Sequence, residues 1–175
     1  MNIKGYRIAP ASKLHKARLG GFDLDAAKLA GAILTFADMT EVSLKSADLS
    51  GADMRDVVLT GSYLPGANMA GAVLSRAQAA EANMYGVSLR RAVANDADFT
   101  AVTLQAAVLY GANLRGARLV RANLHWADLR GADLRGADLT RADMASARLQ
   151  GARYDDATKL PDSVSPKSRG MRRVE

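Results

Sequence analysis

Two histidines, His15 and His125, and eighteen Asp and Glu residues are the groups in this 175-residue chain that could move a proton or hold a metal. Acid–base chemistry needs two such groups within hydrogen-bond reach of one substrate. A His/Cys metal site needs several converging ligands, yet the histidines stand 110 positions apart and there is no cysteine. The acidic residues Asp128, Asp133 and Asp138 are spaced by five, as are many of the glycines, and no phosphate-cradling glycine motif interrupts that rhythm. The expectation is therefore no catalytic residue, no metal and no cofactor.

The spacing of five is what the rest of the chain obeys. "ADLRGADLRGADLTRADM" at 127–144 repeats one phrase. Counting in fives from Leu14 to Tyr154 gives 29 central positions, of which 20 are Leu and five are Met. The others are Phe99, Tyr154, Ala79 and Ala94, and the position two before each centre is Ala in 22 of 29 cases. An α-helix would turn successive centres by about 140° and smear leucine over every face. A flat strand would flip them from side to side, because five is odd. One short extended side per phrase, followed by a corner, keeps every centre inside. Twelve of the 15 glycines fall at the last place of a phrase, where a corner of positive φ would suit them. Four right-angle corners close a square after twenty residues.

"ADLSGADM", "GANLRGARL" and "RANLHWADLRGADL" carry the pattern A(D/N)LXX, and in this the chain resembles the pentapeptide repeat proteins over about residues 12–157. The resemblance implies an all-β fold: a right-handed quadrilateral β-helix of about seven coils, twenty residues per coil. Residues 1–12, with Ile3, Tyr6 and Ile8, read as an N-terminal cap; 13–157 as the repeat helix; 158–175 as a C-terminal closing segment and flexible basic tail, mobile beyond Pro161.

Stacking at twenty residues makes the pattern specific. The small centre Ala79 lies beneath the large Phe99, and Ala94 is one side away in the same coil, so the ring fills space two neighbours leave. Leu119 and Leu139 continue that column. On the outside, Arg118 falls between Asp98 and Asp138, Asp128 beside Arg148, and Asp133 beside Arg153, so charge alternates along the columns.

A convex rod disperses its side chains, so function is expected on its surface. Trp126, the only tryptophan, sits at a corner where the fold has no use for it. His125 precedes it, and Tyr85 shares the His125 column; such an aromatic group is a candidate contact. Arg90, Tyr110 and Arg130 form one column in which cations can stack on the ring. Ile33, Val73 and Val93 share an outward column, with Phe36 near its lower end, as a candidate apolar interface and homodimer surface.

Net charge is +6, of which the half from residue 89 onward carries +5, with 15 Lys and Arg against 10 Asp and Glu. That balance permits a polyanionic partner such as nucleic acid, although Asp-rich columns interleave with the arginines. The start lacks an apolar signal-peptide core and no apolar run reaches the length of a membrane span, so the reading is a soluble, cytoplasmic protein without membrane partner. The resemblance implies a noncatalytic interaction or scaffold rod with a protein partner. Electrostatic binding of nucleic acid or another polyanion is the alternative. DNA mimicry that protects DNA gyrase, ascribed to some of the family, fits a net basic chain less well.

Overall fold

Every phrase in the computed structural model, which describes residues 1–175, makes one short side and one corner. In the phrase ending at Gly131, Ala127 and Leu129 point inward and are buried, and Asp128 points outward. The Leu129 carbonyl then accepts the Ala132 N–H at 3.0 Å and closes the turn. Gly131, third in that turn, has φ 66°, the left-handed conformation a type II turn requires there. The same holds at every fifth residue from Ala11 to Gly151, with φ between 53° and 72°. Many of these corners are not glycine, and bulky side chains such as Phe36 and Trp126 also adopt it.

Successive coils stack by parallel bridges between residues twenty apart, beginning with Lys13 and Ile33. With a corner every five residues, this gives four faces. The first face runs outward through Lys13, Ile33, Asp53, Val73, Val93, Asn113, Asp133 and Arg153; the second, third and fourth begin at Arg18, Asp23 and Lys28. Each side is so short that it forms a single bridge. Longer pairing occurs only at the ends, in β1 (Asn2–Ile3), β2 (Tyr6–Arg7), β3 (Arg153–Tyr154) and β4 (Arg172–Arg173).

The inward Ala and Leu or Met residues form one continuous core from Leu14 to Ala152. Ala79, Ala94, Phe99, Leu119 and Leu139 are all buried, Phe99 completely, at 0% exposure. Ala79 and Phe99 occupy successive rungs of the second face, where the Ala79 N–H donates to the Asp98 carbonyl at 2.8 Å. The large ring thus lies over the smallest centre of its own column.

The outward Asp and Asn residues have a local task that the repeat pattern conceals. The first N–H of each corner has no backbone acceptor, and where an Asp or Asn stands two residues earlier its Oδ1 takes that N–H. Asp48 accepts from Ser50 at 3.1 Å, Asn68 from Ala70 at 3.2 Å, Asp98 from Thr100 at 2.9 Å, and Asp143 from Ala145 at 2.9 Å. These are Asx-type bonds, in which the side chain stands in for a backbone carbonyl. At Asp38 and Asp48 the hydrogen bonds from Thr40 and Ser50 hold the carboxyl below its usual range. Hydrogen bonding from Thr140, opposed by partial burial and helped by Lys159 at 3.1 Å, lowers the Asp138 pKa to about 2.

The expected column pairing is only partly realised. Arg118 reaches Asp98 at 4.0 Å, but Asp138 pairs with Lys159. Asp128 binds Arg130, two residues on, and its ion-pair partner is not Arg148. An outward residue and the corner residue that follows it lie as close as two stacked rungs, so the shorter link wins where an Arg fills that corner place.

Both ends are closed. At the start, β1 and β2 form an antiparallel hairpin through Lys4 and Gly5, both at positive φ as a two-residue type I′ turn needs. It presents Ile8 to the core, lays Ile3 and Tyr6 against it, and holds Lys4 Nζ 4.8 Å over the Phe22 ring. At the other end the regular register breaks: Asp138 bridges Lys159, and Arg153 pairs with Arg172. The expected mobile tail beyond Pro161 is corrected here. Val164 and Met171 are buried on the last coil, β4 pairs in parallel with β3, and Arg169 Nη2 donates to the Met144 carbonyl at 2.9 Å. The open end of an apolar column demands a lid, and two isolated apolar residues in a charged stretch supply it.

Two outcomes are expected. Phe99→Ala should lower unfolding free energy by about 3–5 kcal/mol, because Ala79 and Ala94 cannot expand into the void. Denaturant melts would read this, and a loss below about 1 kcal/mol would contradict the stacking. Because Asp38, Asp48 and Asp138 have lowered pKa values in the fold, their contribution is complete above the unfolded carboxylate range and is lost as pH falls. Melting temperature should therefore drop between about pH 4 and pH 2. Asp138→Asn should flatten that drop while keeping the Asx bond.

Candidate functional site

The corners decide which side chains a partner can reach, since inward residues are sealed and face residues lie close to the backbone. Trp126 is the clearest case. It occupies a corner at φ 59°, is 58% exposed, and its ring centroid lies 4.2 Å from that of His125. The backbone takes the left-handed conformation every corner imposes, and the ring itself lies outside the core. Tyr85, 50% exposed, stands two rungs lower in the His125 column, about 10 Å away. Asn83 and Asn123 accept the Tyr85 and His125 N–H groups, each at 3.1 Å, and so set both corners.

The structure adds to this group a feature the sequence reading passed over. From the rung of Tyr63 to that of Trp126 the third face and its corner carry no charged residue, and the adjoining fourth face carries none as far as the rung of Val108. The third face presents Tyr63, Asn83, Thr103 and Asn123; the corner presents Pro65, Tyr85, Gln105 and His125 with Gly66, Gly86, Ala106 and Trp126. Asn68, Ser88 and exposed Val108 continue it on the fourth face. Charge returns below, at Lys45 and Asp48, on the fourth face at the Trp126 rung, where Arg130 chelates Asp128, and above, at Asp143 and Arg148. In a chain that is 24% charged this is a defined neutral strip. Reading columns twenty apart for missing charge would have found it.

The other candidate groups lie elsewhere. The Arg90 guanidinium is 5.0 Å from the Tyr110 ring centre and Arg130 is 5.8 Å from it, so the ring is held between two cations at the corner joining the fourth and first faces. Arg130 chelates Asp128 at 2.8 and 2.6 Å, which holds that carboxyl below the usual range. Ile33, Val73 and Val93 do share the first face, but Asp53, bound to Arg55 at 2.8 and 2.5 Å, separates Ile33 from the valines. Phe36 is not on that face. It projects from the next corner, where His15 meets its edge with ring centres 5.8 Å apart. No continuous apolar column results.

Asp128, Asp133 and Asp138 lie on the fourth, first and second faces. The largest concavity, about 450 Å³, lies beside the N-terminal hairpin and is lined by Tyr6, Arg7, Ser12 and Lys13 among others. None of these acidic or aromatic groups opens into it. No helix is long and apolar enough to cross a membrane.

The comparisons agree with this geometry. The family model for pentapeptide repeats matches in eight copies that span residues 12–153. No curated protein matches the chain. Among solved structures, HetL of the cyanobacterium Nostoc sp. strain PCC 7120, involved in heterocyst differentiation regulation, aligns with a TM-score of 0.53 and 22% identity. That alignment covers 95% of this chain and 87% of HetL. A thylakoid-lumen protein of Arabidopsis thaliana aligns at 0.52 and 27% identity, over 62% of this chain and 71% of its own. A trypsin-treated form of QnrB1, a plasmid-mediated fluoroquinolone resistance protein, aligns at 0.52 and 16% identity, over 99% and 88%. These likenesses concern the fold, and with the repeat match they establish that the chain belongs to the pentapeptide repeat proteins, whose right-handed quadrilateral β-helix it adopts.

Proposed function

We propose that this protein is a noncatalytic interaction rod that docks another protein on the neutral strip around Tyr85 and Trp126. The observation that supports the reading is the combination of exposed aromatic rings with the absence of charge over four successive rungs of the third face and its corner. Tyr and Trp give large contact area for few rotatable bonds, and Asn, Ser and Gly around them supply adaptable hydrogen bonding. An uncharged strip loses little when it leaves water, whereas the charged faces would have to give up solvated ions. Gyrase protection by DNA mimicry remains the weaker reading, because the net charge of +6 opposes it.

Capture of partners from the native cell, at low and raised salt, tests the reading. A partner that persists in salt and is lost with Trp126→Ala supports it; the truncation should weaken binding by at least about 2 kcal/mol, roughly thirtyfold. A partner indifferent to Trp126 and released by salt would sink it. Trp126→Gly should act the same way on binding yet raise unfolding free energy by about 1 kcal/mol, since glycine accepts the corner conformation freely. Thermal melts check that opposite sign.

A further inference from the structure

The first face from the Arg90 rung to β4 is a second, separate surface, and we propose that it binds the phosphate backbone of nucleic acid. Seven arginines gather there: Arg90 and Arg91 at its leading corner, Arg130 two rungs further on the same corner, Arg115 and Arg135 on successive rungs of its trailing corner, and Arg153 and Arg172 stacked at its end. They span about 19 Å along the rod at the usual rung spacing.

Formal charge understates this surface where Asp128 and Asp133 lie recessed beneath the arginines; Asp96, exposed on the trailing corner at the Arg90 rung, is not recessed. Asp133 is only 4% exposed. Burial pushes its carboxyl up, but hydrogen bonding from Arg135 and the charge of Arg153 bring it below the usual range, so it stays ionised. Arg135 chelates it at 2.9 and 2.6 Å, and Arg153 approaches at 3.1 Å. One carboxylate thus anchors two guanidiniums and leaves a net positive charge. Asp128 anchors Arg130 in the same way. Arg90 and Arg91 have no acidic partner, and Arg90 is steadied over Tyr110. Arg148 and Asp155 at the margins offset each other.

Anchoring matters as much as charge. A guanidinium has five N–H donors, and the two engaged by an aspartate leave others free to meet a phosphate. Side chains already held in place lose little further freedom on binding. The left-handed corners along this edge include Gly111, Gly131 and Gly151, so no large side chain stands between a ligand and the arginines. Tyr110 has a cation over each side and offers no open face to a base. Contacts therefore go to phosphates, and recognition is by charge without base reading. The neutral docking strip is centred on the corner of Tyr85 and Trp126, on the other side of the fourth face, and shares no residue with this surface.

The test uses the full chain and a fluorescein-labelled 20-nucleotide DNA, as single strand and as duplex, followed by anisotropy over a salt series. Binding should weaken as a power of salt concentration. Arg90→Glu with Arg91→Glu should lower affinity at least about tenfold and reduce the salt slope by about 2. Arg121→Glu with Arg141→Glu, exposed at the corner between the second and third faces, makes the same charge change and should cost less than about threefold. Melting temperatures of both pairs verify folding. Absence of binding at low salt would overturn the proposal, as would equal losses from the two pairs. Displacement by inorganic polyphosphate as effectively as by DNA, per unit charge, would overturn its assignment to nucleic acid.

Discussion

The left-handed corner is the constraint on which the rest of the molecule depends. Every fifth residue from Ala11 to Gly151 takes positive φ, which turns the chain and directs the next Ala and Leu inward. An L-residue resists that conformation by about 1–2 kcal/mol. Two features hold it there: the corner N–H donates to the coil above, as Lys16 does to the Thr35 carbonyl at 2.9 Å, and the buried leucines on either side cannot move. Corners are therefore determined from several directions, which is how Phe36 and Trp126 can occupy them at all. Glycine relieves the strain but is optional. Gly116 is less free, because a methyl group there would collide with the Asp96 carboxylate.

The acidic residues serve that corner before they serve anything else. By accepting the first corner N–H, an outward Asp or Asn satisfies a donor the ladder leaves open. Where the corner residue is arginine, the same carboxylate also grips its guanidinium, as Asp53, Asp128 and Asp133 do. The carboxylates are drawn down against the backbone while the guanidiniums stand above them. Around Asp133, where two arginines share one carboxylate, the outer groups are the positive ones.

A four-sided helix also separates functions in a way a globule cannot. Each surface column is composed of residues twenty apart, so neighbouring columns can differ completely in character. The third face and its corner could lose all charge over four rungs while the first face, across the fourth, gathered arginines. Neither choice disturbs the Ala and Leu interior, which the same phrases supply from their other positions.

The repeat made much of this legible before any coordinates. The period of five excludes a helix and a flat strand, the inward Ala and Leu define the core, and the pairing of Ala79 with Phe99 follows from counting twenty. Trp126, His125 and Tyr85 stood out as residues the fold does not require. Where the period lapses, legibility lapsed with it. Val164 and Met171 seal the last coil from a segment that reads as a charged tail, and the register shift that allows β4 to pair with β3 has no repeat to announce it. The partner of Asp128 was also hidden, because Arg130 and Arg148 are both within reach of a rung and only side-chain geometry chooses between them. Periodicity is a property of the backbone path, so the sequence alone determined the path and its interior. Which outward side chains sink, which stand proud and how the ends close depend on neighbours distant in the chain, and those only the tertiary structure decided.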